Sequence, residues 1–313
     1  MERATKGAAV MPKSRAIERR RTVATSAPYS FMREPGLYAH MFIEDINSGF
    51  IRLTHEDGRR VQVEGDEDGR SAVESICSSL SDYPGPDLPD TVELAIGSIT
   101  RRLAWQGEAI YEICGRGKEV SLASVVPYRL VRVPGGFFQL ISKADRQWTA
   151  AKMCAFLPAS SAWMVRLPSR LGRPRAHRRL LRELTEVSRP APDFWTRGLE
   201  AKKIATEFML SEYNRKRDAY IARLTRRWGW NRRDTSGAQD TQFFYFFRSL
   251  RFRQAQAAMR NHIVEQMNKF LARLRINARI QLEGFLSPGD IEELIRQTLA
   301  GTLHYAEAVR RAR

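Results

Sequence analysis

Four short basic clusters lie close together in one stretch of the chain: Lys202-Lys203, Arg215-Lys216-Arg217, Arg226-Arg227 and Arg232-Arg233. Tyr220, Trp228 and Trp230 are interleaved with them. Cations at this density release counterions from a nucleic acid backbone, and indole rings can stack on bases. Arg215, Lys216, Arg217, Arg226, Arg227, Arg232 and Arg233 are therefore candidate nucleic-acid contacts. The competing reading places the aromatics in a core and the cations along a wet helix face. A second candidate surface follows. Phe243, Phe244, Tyr245, Phe246 and Phe247 are consecutive aromatics, more than one subunit easily covers. Of these, Phe243, Phe244, Phe246 and Phe247 are candidates for an interface between subunits.

Motifs for catalysis do not occur. The histidines His40, His55, His177, His262 and His304 are scattered, and none forms the HExxH arrangement of a zinc site. Gly115-Arg116-Gly117-Lys118-Glu119 contains a Gly-Lys but lacks the glycine spacing and the hydroxyl residue of a P-loop. It reads as a hairpin turn. Neither GxGxxG nor GxSxG is present, and Glu292-Glu293 are helix neighbours that do not converge. Cys77, Cys114 and Cys154 are far apart without CxxC pairing and read as reduced core thiols of an intracellular protein. No metal and no cofactor is expected. An enzyme whose site is assembled from distant residues has no constellation to recommend it.

The composition points to a polyanion. The 313 residues carry 52 Lys and Arg against 35 Asp and Glu, for a net charge of +17. Arginine supplies 43 of the basic residues, and its fork binds phosphate or carboxylate bidentately. An arginine bias inherited from a GC-rich genome would give the same composition with the side chains merely solvated. Acidity is confined to one part: residues 51–100 carry −7, and every later stretch is basic. No run approaches the roughly 18 consecutive apolar residues of a membrane helix, so no membrane partner is expected.

The elements that must position these residues form an α+β pattern, with a β-hairpin-rich first half holding one or two helices and long α-helices after it. Residues 1–30 are a basic arm too poor in apolar residues to fix a fold. Residues 50–63 alternate about Asp57-Gly58 as a hairpin, and Glu64–Gly69 reads as a solvated acidic turn. A helix starts at Asp90 as N-cap with Glu93 three residues on, and Gly107 ends it. Hairpins follow at Gly115–Gly117 and Pro134–Gly136, then a strand at Ala162–Leu167 and a basic helix at Pro174–Val187. A second long helical stretch runs from Trp195 to about Arg227.

Asp240–Leu274 organises the rest. Phe252, Ala255, Met259, Ile263, Met267, Phe270 and Leu274 recur at steps of three or four, uninterrupted by Gly or Pro. Such a rod is about 50 Å long at roughly 1.5 Å per residue and is expected to pack along another long helix or along copies of itself. A short strand, ARIQLEG, then precedes a last helix capped by Ser287 with Pro288 at its first position and an apolar stripe running to Val309.

Taken in order, these elements resemble the bacteriophage portal protein family. TVELAIGSITRRLAWQG followed at once by EAIYEI is similar to that family's wing segment, where a helix ends in Gly and an alternating strand with a Tyr begins. SLASVVPYRLVRVPGGFFQL resembles the Leu-x-x-Val-Pro lead into the next hairpin, and Trp163–Arg166 with Gly172 the strand, loop and helix after it. The overlap covers roughly Asp90 to Val187, and beyond it only the element order. The resemblance implies a wing-like domain over 31–190 and a stem or channel region with a C-terminal helical part over 191–313. It implies a homo-oligomeric ring, dodecameric in the family, around double-stranded DNA for packaging and ejection. Its partners would be a packaging motor and capsid or head-completion proteins, and its location a virion or the cytoplasm of a bacterium carrying a prophage. This chain is shorter and more basic than portal subunits, so a reduced crown or clip is expected. The alternative is a basic nucleic-acid-binding monomer or dimer without a ring.

Overall fold

The computed structural model describes residues 35–50, 58–81, 83, 85–115, 117–125, 130–140, 153–188, 210–233 and 241–312. In chain order they form helix α1 (Leu37–Ser48), strand β1 (Arg60–Gly65), and helices α2 (Glu67–Ser78) and α3 (Leu88–Gln106). Strands β2 (Glu108–Cys114), β3 (Ser121–Val125), β4 (Leu130–Val133), β5 (Gly136–Leu140), β6 (Cys154–Pro158) and β7 (Ala162–Arg166) come next. Helices α4 (Pro174–Ser188), α5 (Leu210–Leu224) and α6 (Gln242–Arg273), strand β8 (Ala278–Glu283), and helices α7 (Pro288–Leu299) and α8 (Tyr305–Arg311) complete the order. The architecture is α+β with a helical C-terminal half. Residues 1–30, expected as a basic arm, and residues 195–209, expected to begin the second long helix and including Lys202-Lys203, lie outside the described residues.

Local chemistry sets the helix starts, and two differ from the sequence reading. The acidic run is a helix start and not a loop: Asp66 accepts the Gly69 N–H at 2.7 Å, and Glu67 and Asp68 occupy the first turn of α2. Carboxylates there face the positive end of the helix dipole. For α3 the cap is Asp87, which accepts the Asp90 N–H at 2.8 Å, with a proline in the first turn. Gly107 ends α3 in the left-handed region (φ 77°), and an added Cβ would lie 2.8 Å from Pro174 Cα. Only glycine fits that corner, so β2 leaves α3 without a loop.

Among the described residues three small antiparallel sheets result: β3-β2-β7, β4-β5-β6 and β1-β8. The β2–β3 and β4–β5 hairpins form as the sequence predicts. Strand β6 had no sequence signal and extends the second sheet. β1 pairs with β8, from Arg60 opposite Glu283 to Gly65 opposite Ala278. The other arm expected for a β1 hairpin, residues 51–57, lies outside the described residues.

Helix α6 spans 32 residues, as its periodicity requires, yet over most of its length it needs no second rod. Ala255, Met259, Ile263, Met267 and Phe270 enter the main core, which also holds Phe42, Ile96, Trp163, Leu181 and Ile280. Leu250 and Ala257, on another side, enter a smaller core with Ile291, Ile295 and Ala308. Short elements wrapped around α6 bury what the sequence reading assigned to another long helix or to copies. The last helical stretch is also divided: Gly301, with φ 73°, separates α7 from α8.

His177 of α4 is sealed in the main core against Phe42 and Trp228. Its Nε2–H donates to Ala104 O at 2.7 Å, while Nδ1 has no hydrogen-bond partner. Burial pulls its pKa down to about 4, with the Ala104 bond opposing and Arg178 reinforcing the shift. The unfolded chain binds this proton below about pH 6.5 and the folded one does not, so stability falls as the pH drops through that window. We expect about 3 kcal/mol to be lost between pH 6.5 and 4. Urea unfolding at stepped pH measures it, and His177→Gln should flatten the slope by about 1.4 kcal/mol per pH unit.

Candidate nucleic-acid interface and assembly surface

The candidate basic residues sit on α5 and on the corner that follows it, so the corner's construction decides their roles. α5 lies against α4, where Tyr220 Oη donates to Glu183 Oε2 at 3.2 Å and Arg179 Nε pairs with Glu183 Oε1 at 2.6 Å. After α5 the chain turns inward. Trp228 and Trp230 are 1% and 2% exposed, and meet Phe42 edge to face at 88° and 67°, each with centroids 5.3 Å away. The Trp230 indole N–H donates to Asp45 Oδ2 at 2.7 Å. Both rings are core, so the proposed stacking on bases is withdrawn. The apolar area of an indole is worth more inside this corner than on a surface.

The basic residues divide. Arg217 pairs with Asp218 at 3.2 Å and lies over Tyr38. Arg232 is buried and bonds Asp218, and Arg233 bonds Glu44 at 2.9 Å and Asp45 at 2.6 Å. Arg217 and Arg233 tie α5 and its corner to α1, Arg232 ties the corner back onto α5, and all three are poor candidates for a polyanion. Arg215, Lys216, Arg226 and Arg227 are exposed. Arg227 reaches the loop before α4, where a Cβ at Gly172 would be 3.8 Å from its guanidinium. That loop and α4 add the exposed Arg170, Arg173, Arg175, Arg179 and Arg182. The basic surface is therefore a joint product of α4, its leading loop and the end of α5. The sequence reading noted α4 as basic without joining it to α5.

The aromatic run also divides. Phe243, Phe244 and Tyr245 open α6 at 38–45% exposure. Phe246 leans on Tyr305, with centroids 4.6 Å apart, and Phe247 packs onto the smaller core. A second apolar patch went unread in the sequence. Val131, Phe138, Leu140 and Phe156 stand on the outer face of β4-β5-β6 at 40–57% exposure. Val131 pairs with Phe138, and Phe138 with Phe156, so they form one row across three strands. The inner face of the same sheet carries Phe137, Ala155 and Leu157 into a core with Ile110 and Val125. The available signal was Phe137-Phe138: adjacent strand residues point to opposite faces, so one of the two had to face outward.

No family model matches the chain, and no curated protein matches it. Among the described residues no three His, Cys, Asp or Glu side chains converge as metal ligands. Cys77 and Cys114 are buried, but Cys154 is exposed at the start of β6 and is not the core thiol expected of it; burial drives the Cys77 thiol up to about 12, far from a reactive thiolate. No described helix is long and apolar enough to cross a membrane.

Proposed function

We propose that this chain is the repeating subunit of a ring-forming, portal-like structural protein of a phage or prophage, enclosing a passage for double-stranded DNA. The observation that carries this reading is the pair of unlike apolar patches, each of several neighbouring side chains, among the described residues. One is aromatic and helical, at the start of α6; the other is a flat sheet face, on β4-β5-β6. Exposed apolar rows of this kind mark contacts with other molecules. When two different patches on one chain meet between copies, the contact is head-to-tail and closes into a ring when the rotation permits. The portal resemblance gains support from the order of α3, its left-handed Gly107, β2 with Tyr111, the β4–β5 hairpin, and β7 leading to α4. The arginines of α4 and α5 supply a surface for the DNA backbone.

Native mass spectrometry with negative-stain imaging tests the proposal. A discrete many-subunit species with a central opening is expected; a single subunit at high protein concentration would overturn it. The second reading, a DNA-binding monomer or dimer, is favoured by the α4–α5 arginines alone. It predicts tight binding without a ring, and Arg226→Ser with Arg227→Ser should then make the salt dependence shallower by about 1.8 in log–log slope.

A further inference from the structure

Glu108 opens β2 directly after the glycine corner, and its side chain is 8% exposed. Three arginines from three elements converge on it. Arg132 of β4 donates to Oε2 at 2.8 Å, Arg166 of β7 brings Nε to 3.9 Å from Oε2, and Arg178 of α4 brings Nη2 to 3.9 Å from Oε1. One guanidinium neutralises one carboxylate, and Arg132 does so at hydrogen-bond length. Arg166 and Arg178 lie beyond that length, repel each other, and stay 46% and 40% exposed. Among the described residues neither of their guanidinium groups donates a hydrogen bond. A structural role for Glu108 thus leaves a net excess of positive charge and two donor forks without a hydrogen bond among the described residues.

We propose that Arg166 and Arg178, oriented by Glu108 and Arg132, bind a phosphate group of a nucleic acid backbone. Two guanidinium forks side by side match the oxygens of a phosphodiester, and the carboxylate holds them near that geometry before the ligand arrives. The Arg166 strand is itself anchored, because His262 Nε2 donates to Arg166 O at 2.9 Å. A polynucleotide fits better than a free phosphate because the charge continues. Arg175 and Arg182 lie three and four residues either side of Arg178, on the same flank of α4, and both are exposed. Successive phosphates could follow that flank at about one helical turn per arginine. Arg166 and Arg178 would touch the ligand; Glu108 and Arg132 are positioning residues. The inference rests on nucleic acid being a partner, as proposed above.

The test is binding of a labelled duplex of about 20 base pairs to the full chain between 50 and 200 mM salt. Arg166→Gln with Arg178→Gln is expected to weaken binding roughly tenfold or more at low salt and to make the log–log salt slope shallower by about 1.8. Arg166→Lys with Arg178→Lys keeps the charge but loses the forks, so it should retain the slope while affinity falls several-fold. If the wild-type chain binds no duplex, or binds only inorganic phosphate, the nucleic-acid reading falls and this site with it. If the wild type binds and the glutamine pair matches it in slope and affinity, the site alone is overturned. Should the glutamine pair fail to fold, the lysine pair decides, and unchanged affinity there overturns the site.

Discussion

Replacing Arg248 with methionine is expected to cost the folded chain about 3 kcal/mol or more, far beyond a typical substitution on a helix. Arg248 is 7% exposed near the start of α6. Its guanidinium donates to Ala222 O at 3.1 Å, Thr225 Oγ1 at 2.9 Å, Trp230 O at 2.5 Å and Asn231 Oδ1 at 3.2 Å. Ala222 O belongs to the last turn of α5, where carbonyls have no partner within the helix and the dipole is negative. One buried cation thus satisfies the end of α5 and fixes the corner that seats Trp228 and Trp230. Methionine fills a similar length but takes the charged donor away from the buried Thr225 Oγ1 and Trp230 O, leaving the latter only a 3.4 Å bond from Thr225, and from the part-buried Ala222 O and Asn231 Oδ1, at about 1–3 kcal/mol for each buried acceptor before relaxation. Arg248→Lys should fall between, since an ammonium cannot reach acceptors spread as a fork is. Urea unfolding measures the effect. A loss under about 1 kcal/mol for Arg248→Met would mean that the corner does not depend on this residue.

Arg248 also shows where the sequence could and could not be read. Its surroundings, FRSLRFRQ, look like a wet basic helix face, and nothing local separates the buried Arg248 from its half-exposed neighbours Arg251 and Arg253. Burial there is decided by the corner 20 residues earlier. The same holds for Arg217 and Arg233, whose partners Tyr38, Glu44 and Asp45 are remote in sequence. What was legible is what short-range chemistry fixes: the 3.6-residue stripe of α6, the Gly107 stop, the Ser287 cap, the two hairpins. Helices α1 and α2 and strand β6 were missed. In α2, Gly65 and Gly69 flank the acids and mimic a turn, although Asp66 with Gly69 is also a cap. The β1–β8 pairing joins residues more than 200 positions apart, and neither strand's composition names its partner.

The aromatic run and the sheet face give the sharper test of assembly, because each can be broken without opening a core. Phe247 is unsuitable: it packs beside Leu250 and Ile291, so Phe247→Asp would damage the fold and the interface together. Phe243 at 43% exposure and Phe138 at 40% are the better positions. If the start of α6 on one copy seats on the β4-β5-β6 face of the next, Phe243→Asp alone and Phe138→Asp alone should each yield single subunits, and the like charges keep the mutated patches from meeting in a mixture. A buried unpaired charge at the centre of an interface costs several kcal/mol, enough to dissolve it. Mixing the two variants should then give pairs and nothing larger, because each mixed pair has one intact contact and two dead ends. Symmetric contacts behave otherwise. If each patch met its own copy, either variant alone would still dimerise through the patch left intact, and the mixture would add nothing. Analytical ultracentrifugation of the two variants and of their equimolar mixture distinguishes the cases. Only the sequence of ring, single subunit, and mixed pair supports a head-to-tail assembly.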